Sequence, residues 1–153
     1  MSPWTRGSDE VDALLAARHL KRVTGADVGT RALMERAQQL ISSARSLVES
    51  DPVTAYVVAY DAAKHAGAAL LAEQNLRATS EGGHVAIERT LDAQFGPPFA
   101  RFGGLRRRRN ELDYPASVED FADEEEARQA ILRAAEIVDN AAKVIEQAIL
   151  TIY

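Results

Sequence analysis

The amino-acid sequence predicts an all-α protein, an antiparallel four-helix bundle with one additional helix ahead of it. Apolar residues recur at three- and four-residue steps over most of the chain, the period of a helix with one buried face. Alanine is the dominant apolar residue and aromatics make up only 6% of the chain, a balance that favours closely packed helices over a sheet rich in Val, Ile, Tyr and Phe. The periodic segments are joined by short turns, which lay consecutive helices side by side in opposite directions.

Residues 1–10 are polar and read as a flexible start. Val11, Leu14, Leu15 and Val23 trace a short amphipathic stripe, predicting a leading helix over 11–25 that ends at Thr24-Gly25, where glycine can cap it. The bundle is expected over 30–152. Its first helix carries Leu33, Ala37, Leu40, Ile41, Ala44, Leu47 and Val48 on one face, with Arg31, Glu35, Arg36 and Arg45 on the other. Ser50-Asp51-Pro52 supplies a cap and then proline at the first helical position, where its missing N–H costs nothing.

The next helix is expected from about Pro52 to Leu76, burying Val53, Tyr56, Val57, Tyr60, Ala63, Gly67, Leu70 and Leu71; its small residues from Ala62 to Ala69 predict close approach of another helix. After a turn over 78–83, a third helix begins near His84 with Val85, Ile87, Leu91 and Phe95. Gly96-Pro97-Pro98 and Gly103-Gly104 predict a kink or break before the arginine-rich stretch from Leu105 to Tyr114, which Pro115 ends. Asp123 and Glu126 have the spacing of a capping box, and the acidic run between them suits the positive end of a helix dipole. Behind it the apolar period runs from Ile131 through Ile145 to Ile149 and Ile152, predicting a long last helix.

Composition narrows the function classes. No segment approaches the roughly 20 consecutive apolar residues that cross a bilayer, and the polar start lacks a secretory pattern, so no membrane association and a cytoplasmic protein are expected. The absence of cysteine excludes disulfides, thiolate nucleophiles and cysteine zinc sites. A net charge of -5 disfavours non-specific nucleic-acid binding by the whole surface while leaving room for a local basic patch.

Such a patch exists. Arg101 and Arg106 to Arg109 place five cations within nine residues, and four consecutive arginines spread over every face of a helix, so at least one points inward and needs an acceptor. Arg109 and Asp113 are four apart and can pair along one face. Arg109 is then either a structural arginine clamped by Asp113 or part of an anion site formed by Arg101, Arg106, Arg107 and Arg108. RNA phosphate would satisfy such a site, and so would an acidic protein surface, including the chain's own segment 123–126.

A helix carrying Tyr56, Tyr60, Asp61, Ala62 and Ala63 is followed by one ending in Arg-Asn-x-x-x-Tyr, and then by an alanine-rich last helix. This order of features resembles HEPN domains, especially the compact prokaryotic ones. The resemblance covers residues 30 to 150. Many HEPN proteins are metal-independent ribonucleases whose motif is arginine, four to six residues, then histidine. It places the motif arginine at Arg109 and the following polar residue at Asn110. Tyr114 stands at the histidine position, and tyrosine, with a reference pKa near 10, is a poor base at neutral pH. The resemblance therefore implies an RNA-associated, catalytically degenerate member, homodimeric, with Arg109, Asn110, Asp113 and Tyr114 near a cleft at the twofold interface. It implies a toxin–antitoxin, defence or stress setting with a nucleotidyltransferase-type antitoxin as partner, and Tyr114 as a candidate for nucleotidylation. No cofactor is expected. The competing expectation is a non-catalytic helical module that binds another protein.

His19, His65 and His84 are too far apart in sequence for a local metal site, and no metal is expected. His65 follows Asp61 by one turn and is expected beside Arg109 as a spatial substitute for the missing histidine. Tyr56 and Tyr60 share a face and read as core aromatics with their hydroxyls at the boundary.

Overall fold

The computed structural model describes residues 2–24 and 29–153. The chain is mostly helical: α1 (Ser8–Ala16), α2 (Thr30–Leu47), α3 (Pro52–Ala72), α4 (Gly83–Gln94), α5 (Phe102–Asp113) and α6 (Glu124–Glu146), with one small two-stranded sheet, β1 (Leu20–Arg22) and β2 (Leu76–Ala78).

Helix α3 is the centre of the molecule because it is apolar nearly all round. Ala55, Ala59, Ala62, Ala63, Ala66 and Ala69 are wholly buried, and only the side carrying Thr54, Asp61, Lys64 and His65 is left partly open. Helices α2 and α6 cover it most extensively, with α5, α4 and β2 against the remainder. Its start follows the sequence: Asp51 accepts the Thr54 N–H at 3.1 Å, and Pro52 opens the first turn. The close approach expected at its small residues is made by α4, since a Cβ on Gly67 would lie 2.6 Å from Ile87 Cγ2. Helix α2 buries Ala37, Leu40, Ile41 and Ala44, and α6 buries Ala127, Ala130, Ile131, Ala134, Ile137, Val138 and Ala141, each as one stripe.

The structure corrects several expectations. The leading helix spans Ser8–Ala16, not 11–25; the expected cap at Gly25 lies outside the described residues. Arg18 turns left-handed at φ 63°, and the chain enters a strand that pairs antiparallel with β2, Leu20 opposite Ala78 and Arg22 opposite Leu76. Helix α3 stops at Ala72, and Leu76 belongs to β2 because Asn75, at φ 55°, reverses the chain.

The start expected to be flexible is tied down. Trp4 stacks on Phe95 with ring centroids 5.8 Å apart, and its backbone N–H donates to Thr151 Oγ1 at 2.8 Å. The last helix ends at Glu146 and does not reach Ile152. Ala148, at φ 52°, turns the chain so that Leu150 is buried and the Tyr153 N–H reaches the Gln74 carbonyl at 3.0 Å. The Tyr153 hydroxyl donates to the Ser8 carbonyl at 3.0 Å and contacts Asp12, while Ile152 stays exposed.

The break between α4 and α5 occurs at Gly96, φ 70°, and the short 3-10 turn Pro97–Phe99. Gly103-Gly104 do not interrupt anything and lie in the first turn of α5. Gly103 leaves room for Glu88, since a Cβ would lie 2.1 Å from its carboxylate oxygen and would displace that side chain. Among the described residues, no helix is long and apolar enough to cross a membrane.

Candidate functional site: the arginine helix and its neighbours

Helix α5 buries Phe102, Leu105 and Leu112, and Arg109 continues that three- and four-residue stripe. Its position explains its chemistry. The Arg109 Nε is buried with no hydrogen-bond acceptor among the described residues, while Nη1 reaches out and donates to Asp113 Oδ2 at 2.6 Å. The side chain remains 29% exposed, so it is paired by its own helix without being sealed.

The other arginines divide by face. Arg106 donates from Nε to Glu88 at 2.7 Å, and Arg107, mostly exposed, reaches the other oxygen of the same carboxylate at 3.3 Å. Arg108 is the best-braced cation. It donates to Glu126 from Nε at 2.5 Å and from Nη2 at 3.2 Å, to Glu111 at 3.2 Å, and to the Asp120 carbonyl at 2.8 Å. Its hydrogen bonds to Glu126, and then to Glu111, hold the guanidinium charge more firmly than usual against the opposing effect of burial.

The expected capping box therefore forms by half. Asp123 accepts the Glu126 N–H at 2.9 Å, but the Glu126 carboxylate turns to Arg108. A complete box, not anticipated, occurs at Ser117 and Asp120. Arg101 is exposed at the N-terminal end of α5.

The four motif residues occupy two faces. Arg109 and Asp113 pair on one. Asn110 and Tyr114 line a shallow depression of about 500 Å³ on the next, with Arg108, Glu111 and Asp120 around it. Tyr114 is 85% exposed, and Val118 and Phe121, also exposed, follow in the same connection.

His65 is held by its own helix: its Nδ1 lies 2.8 Å from the Asp61 carbonyl, and it lines the same groove as His84. The histidine that feels Arg109 is His84, at the start of α4, which sequence reasoning had left aside. Its Nδ1 lies 3.1 Å from the Tyr60 hydroxyl. Partial burial lowers the His84 pKa, and the cations of Lys64, Arg109 and Arg106 lower it further against the opposing Asp61, so the ring is neutral at pH 7. Burial also raises the Tyr60 pKa, which keeps its phenol protonated. No signal within α4 distinguishes His84; only the packing of α3, α4 and α5 does. Among the described residues no group of three or more His, Asp or Glu side chains could hold a metal ion.

No protein-family model matches this chain, and no curated protein or solved structure matches it either.

Proposed function

We propose that the chain is a HEPN-like domain in which α2, α3, the α4–α5 pair and α6 act as the four-helix bundle, and that it binds RNA as a homodimer without cleaving it. The observation that carries this reading is the placement of Arg109: set in the buried stripe of α5, open on one side, with an Nε that lacks an acceptor among the described residues. The Nε itself is buried, and it is the exposed Nη end of the guanidinium that can take a phosphate oxygen. Arg101 and Arg107, the exposed arginines of this segment, are the further phosphate contacts, whereas Arg106 and Arg108 act as braces.

Absence of cleavage follows from the available bases. Tyr114 is a phenol, and the Nδ1 of His84 is engaged by Tyr60. A toxin–antitoxin or defence role with a nucleotidyltransferase-type partner belongs to the same reading, and nucleotidylation would fall on the exposed Tyr114.

A second reading, a protein-binding module, is favoured by one observation: Tyr114, Val118 and Phe121 expose three large side chains within eight residues. Fluorescence anisotropy with a labelled single-stranded RNA separates the two. The RNA reading expects binding that weakens with salt and a slope that falls by about one unit in Arg107→Ala. Absence of binding at low salt, with the protein folded, refutes it and leaves the module.

A further inference from the structure

A groove of about 290 Å³ opens between α3 and the connection from β2 into α4, bordered by Lys64, His65, Ser80 and His84 over an apolar floor that includes Leu33 and Ile87. The hydrogen bonds around it assign opposite tautomers to its two histidines. His65 Nδ1 faces a backbone carbonyl, which can only accept, so Nδ1 carries the proton and Nε2 is left as an acceptor. The Tyr60 hydroxyl is buried, and its one hydrogen-bond partner among the described residues is His84 Nδ1. A buried phenol must place its proton on an acceptor, so Tyr60 donates, Nδ1 accepts, and His84 Nε2 carries the hydrogen.

Arg77 also lines the groove and has a partner of its own; apart from it, the polar side chains offer three donors, the Lys64 ammonium, His84 Nε2–H and the Ser80 hydroxyl, against one acceptor, His65 Nε2. The Thr79 hydroxyl is already committed to the Arg18 carbonyl at 2.7 Å. Lys64 meets Asp61 only at 3.7 Å, a loose pair that leaves ammonium donors available. Three donors with one full positive charge suit a phosphate group, and the lone acceptor suits a hydroxyl a few ångströms from it.

We propose that this groove binds a small phosphorylated sugar, with Lys64, His84 Nε2–H and Ser80 on the phosphate and His65 Nε2 accepting from a sugar hydroxyl. The site stands apart from the RNA reading, since it uses neither Arg107 nor Arg109.

Nitrogen-15 NMR of the imidazoles tests it in two steps. In the free full-length protein, His65 is expected as the Nδ1–H tautomer and His84 as the Nε2–H tautomer; the reverse assignment for either ring overturns the proposal. Titration with ribose 5-phosphate is then expected to shift both rings with saturation in the millimolar range or tighter. Ribose alone should produce no shift, and inorganic phosphate should move His84 but not His65. Lys64→Met should weaken ribose 5-phosphate binding about tenfold, the usual scale for one charge-assisted hydrogen bond, and Ser80→Ala should weaken it by a smaller factor. No shift at about 10 mM ribose 5-phosphate, equal affinity for ribose, or unchanged affinity in a folded Lys64→Met variant would each sink the idea.

Discussion

Gln74 and Gln94 donate to one another across the interior, Nε2 to Oε1 in both directions, at 2.9 and 2.7 Å. Both are almost wholly buried, and Gln74 also donates to the Leu70 carbonyl. Gln94→Leu leaves the Gln74 amide short of partners in a dry site, and should lower unfolding free energy by about 2 kcal/mol. The double variant Gln74→Leu with Gln94→Leu should lose less than the sum of the two single changes, because no orphaned amide remains. Urea denaturation of the three variants measures both effects.

Thr90 presents the opposite case. Its hydroxyl is buried with no hydrogen-bond partner among the described residues. Thr90→Val keeps the shape and removes the unsatisfied group, so it should be neutral or stabilising by up to about 1 kcal/mol. A loss of stability in thermal unfolding would mean that the hydroxyl has a partner after all.

Arg108 should behave as a brace and Arg107 as a surface group. Arg108→Leu frees the Glu126 carboxylate from its main partner, with an expected cost of about 1–2 kcal/mol for a half-exposed, charge-assisted pair. Arg107→Ala should stay within about 0.5 kcal/mol of the parent. A double-mutant cycle with Glu126→Gln gives the coupling energy of the pair directly.

Gly103→Ala should act on Glu88. The added methyl meets the carboxylate oxygen that Arg107 holds, so the carboxylate must move and its bonds to both Arg107 and Arg106 are disturbed. The expected result is lower stability despite alanine's better helix propensity, with Arg106 becoming more accessible to guanidine-directed reagents.

Alkaline stability follows from the tyrosines. Burial pushes Tyr56 up to about 12, and burial with the Asp12 hydrogen bond pushes Tyr153 up to about 12. Unfolding returns both to their ordinary value near 10, so above it the unfolded chain holds fewer protons than the folded one. Their contribution is whole below pH 10 and is lost as pH rises from 10 through 12. His84 works the other way: its pKa is depressed, so its contribution is present above pH 6.5 and declines as pH falls below that. Unfolding midpoints across pH, followed with tyrosinate absorbance, check both limbs.

The helical segments were legible because periodicity reports which residues of one helix share a face. The stripes of α2, α3 and α6, and the Asp51-Pro52 start, need no knowledge of neighbours. The β1–β2 pair was not legible: three residues per strand are too few for alternation, and Leu20 alone is strongly buried in β1. The tail fooled the periodic reading because Ile149 and Ile152 continue the spacing, while the bonds of Tyr153 to Gln74 and Ser8 take the chain elsewhere.

At the candidate site the spacing from Arg109 to Asp113 could be read directly. That Arg108 would find Glu126, and that His84 would meet Tyr60, depends on which helices adjoin, and no spacing within one helix encodes that.

The bond from the Trp4 N–H to Thr151 joins positions 147 residues apart, and Tyr153 reaches Ser8 and Asp12 beside it. The polypeptide is thereby drawn into a ring whose closure carries the largest loop entropy in the molecule, so this seam should be among the latest contacts to form and among the earliest to exchange its amide hydrogens. Once shut, it couples the two segments, because the same bonds are lost whichever of them lifts away.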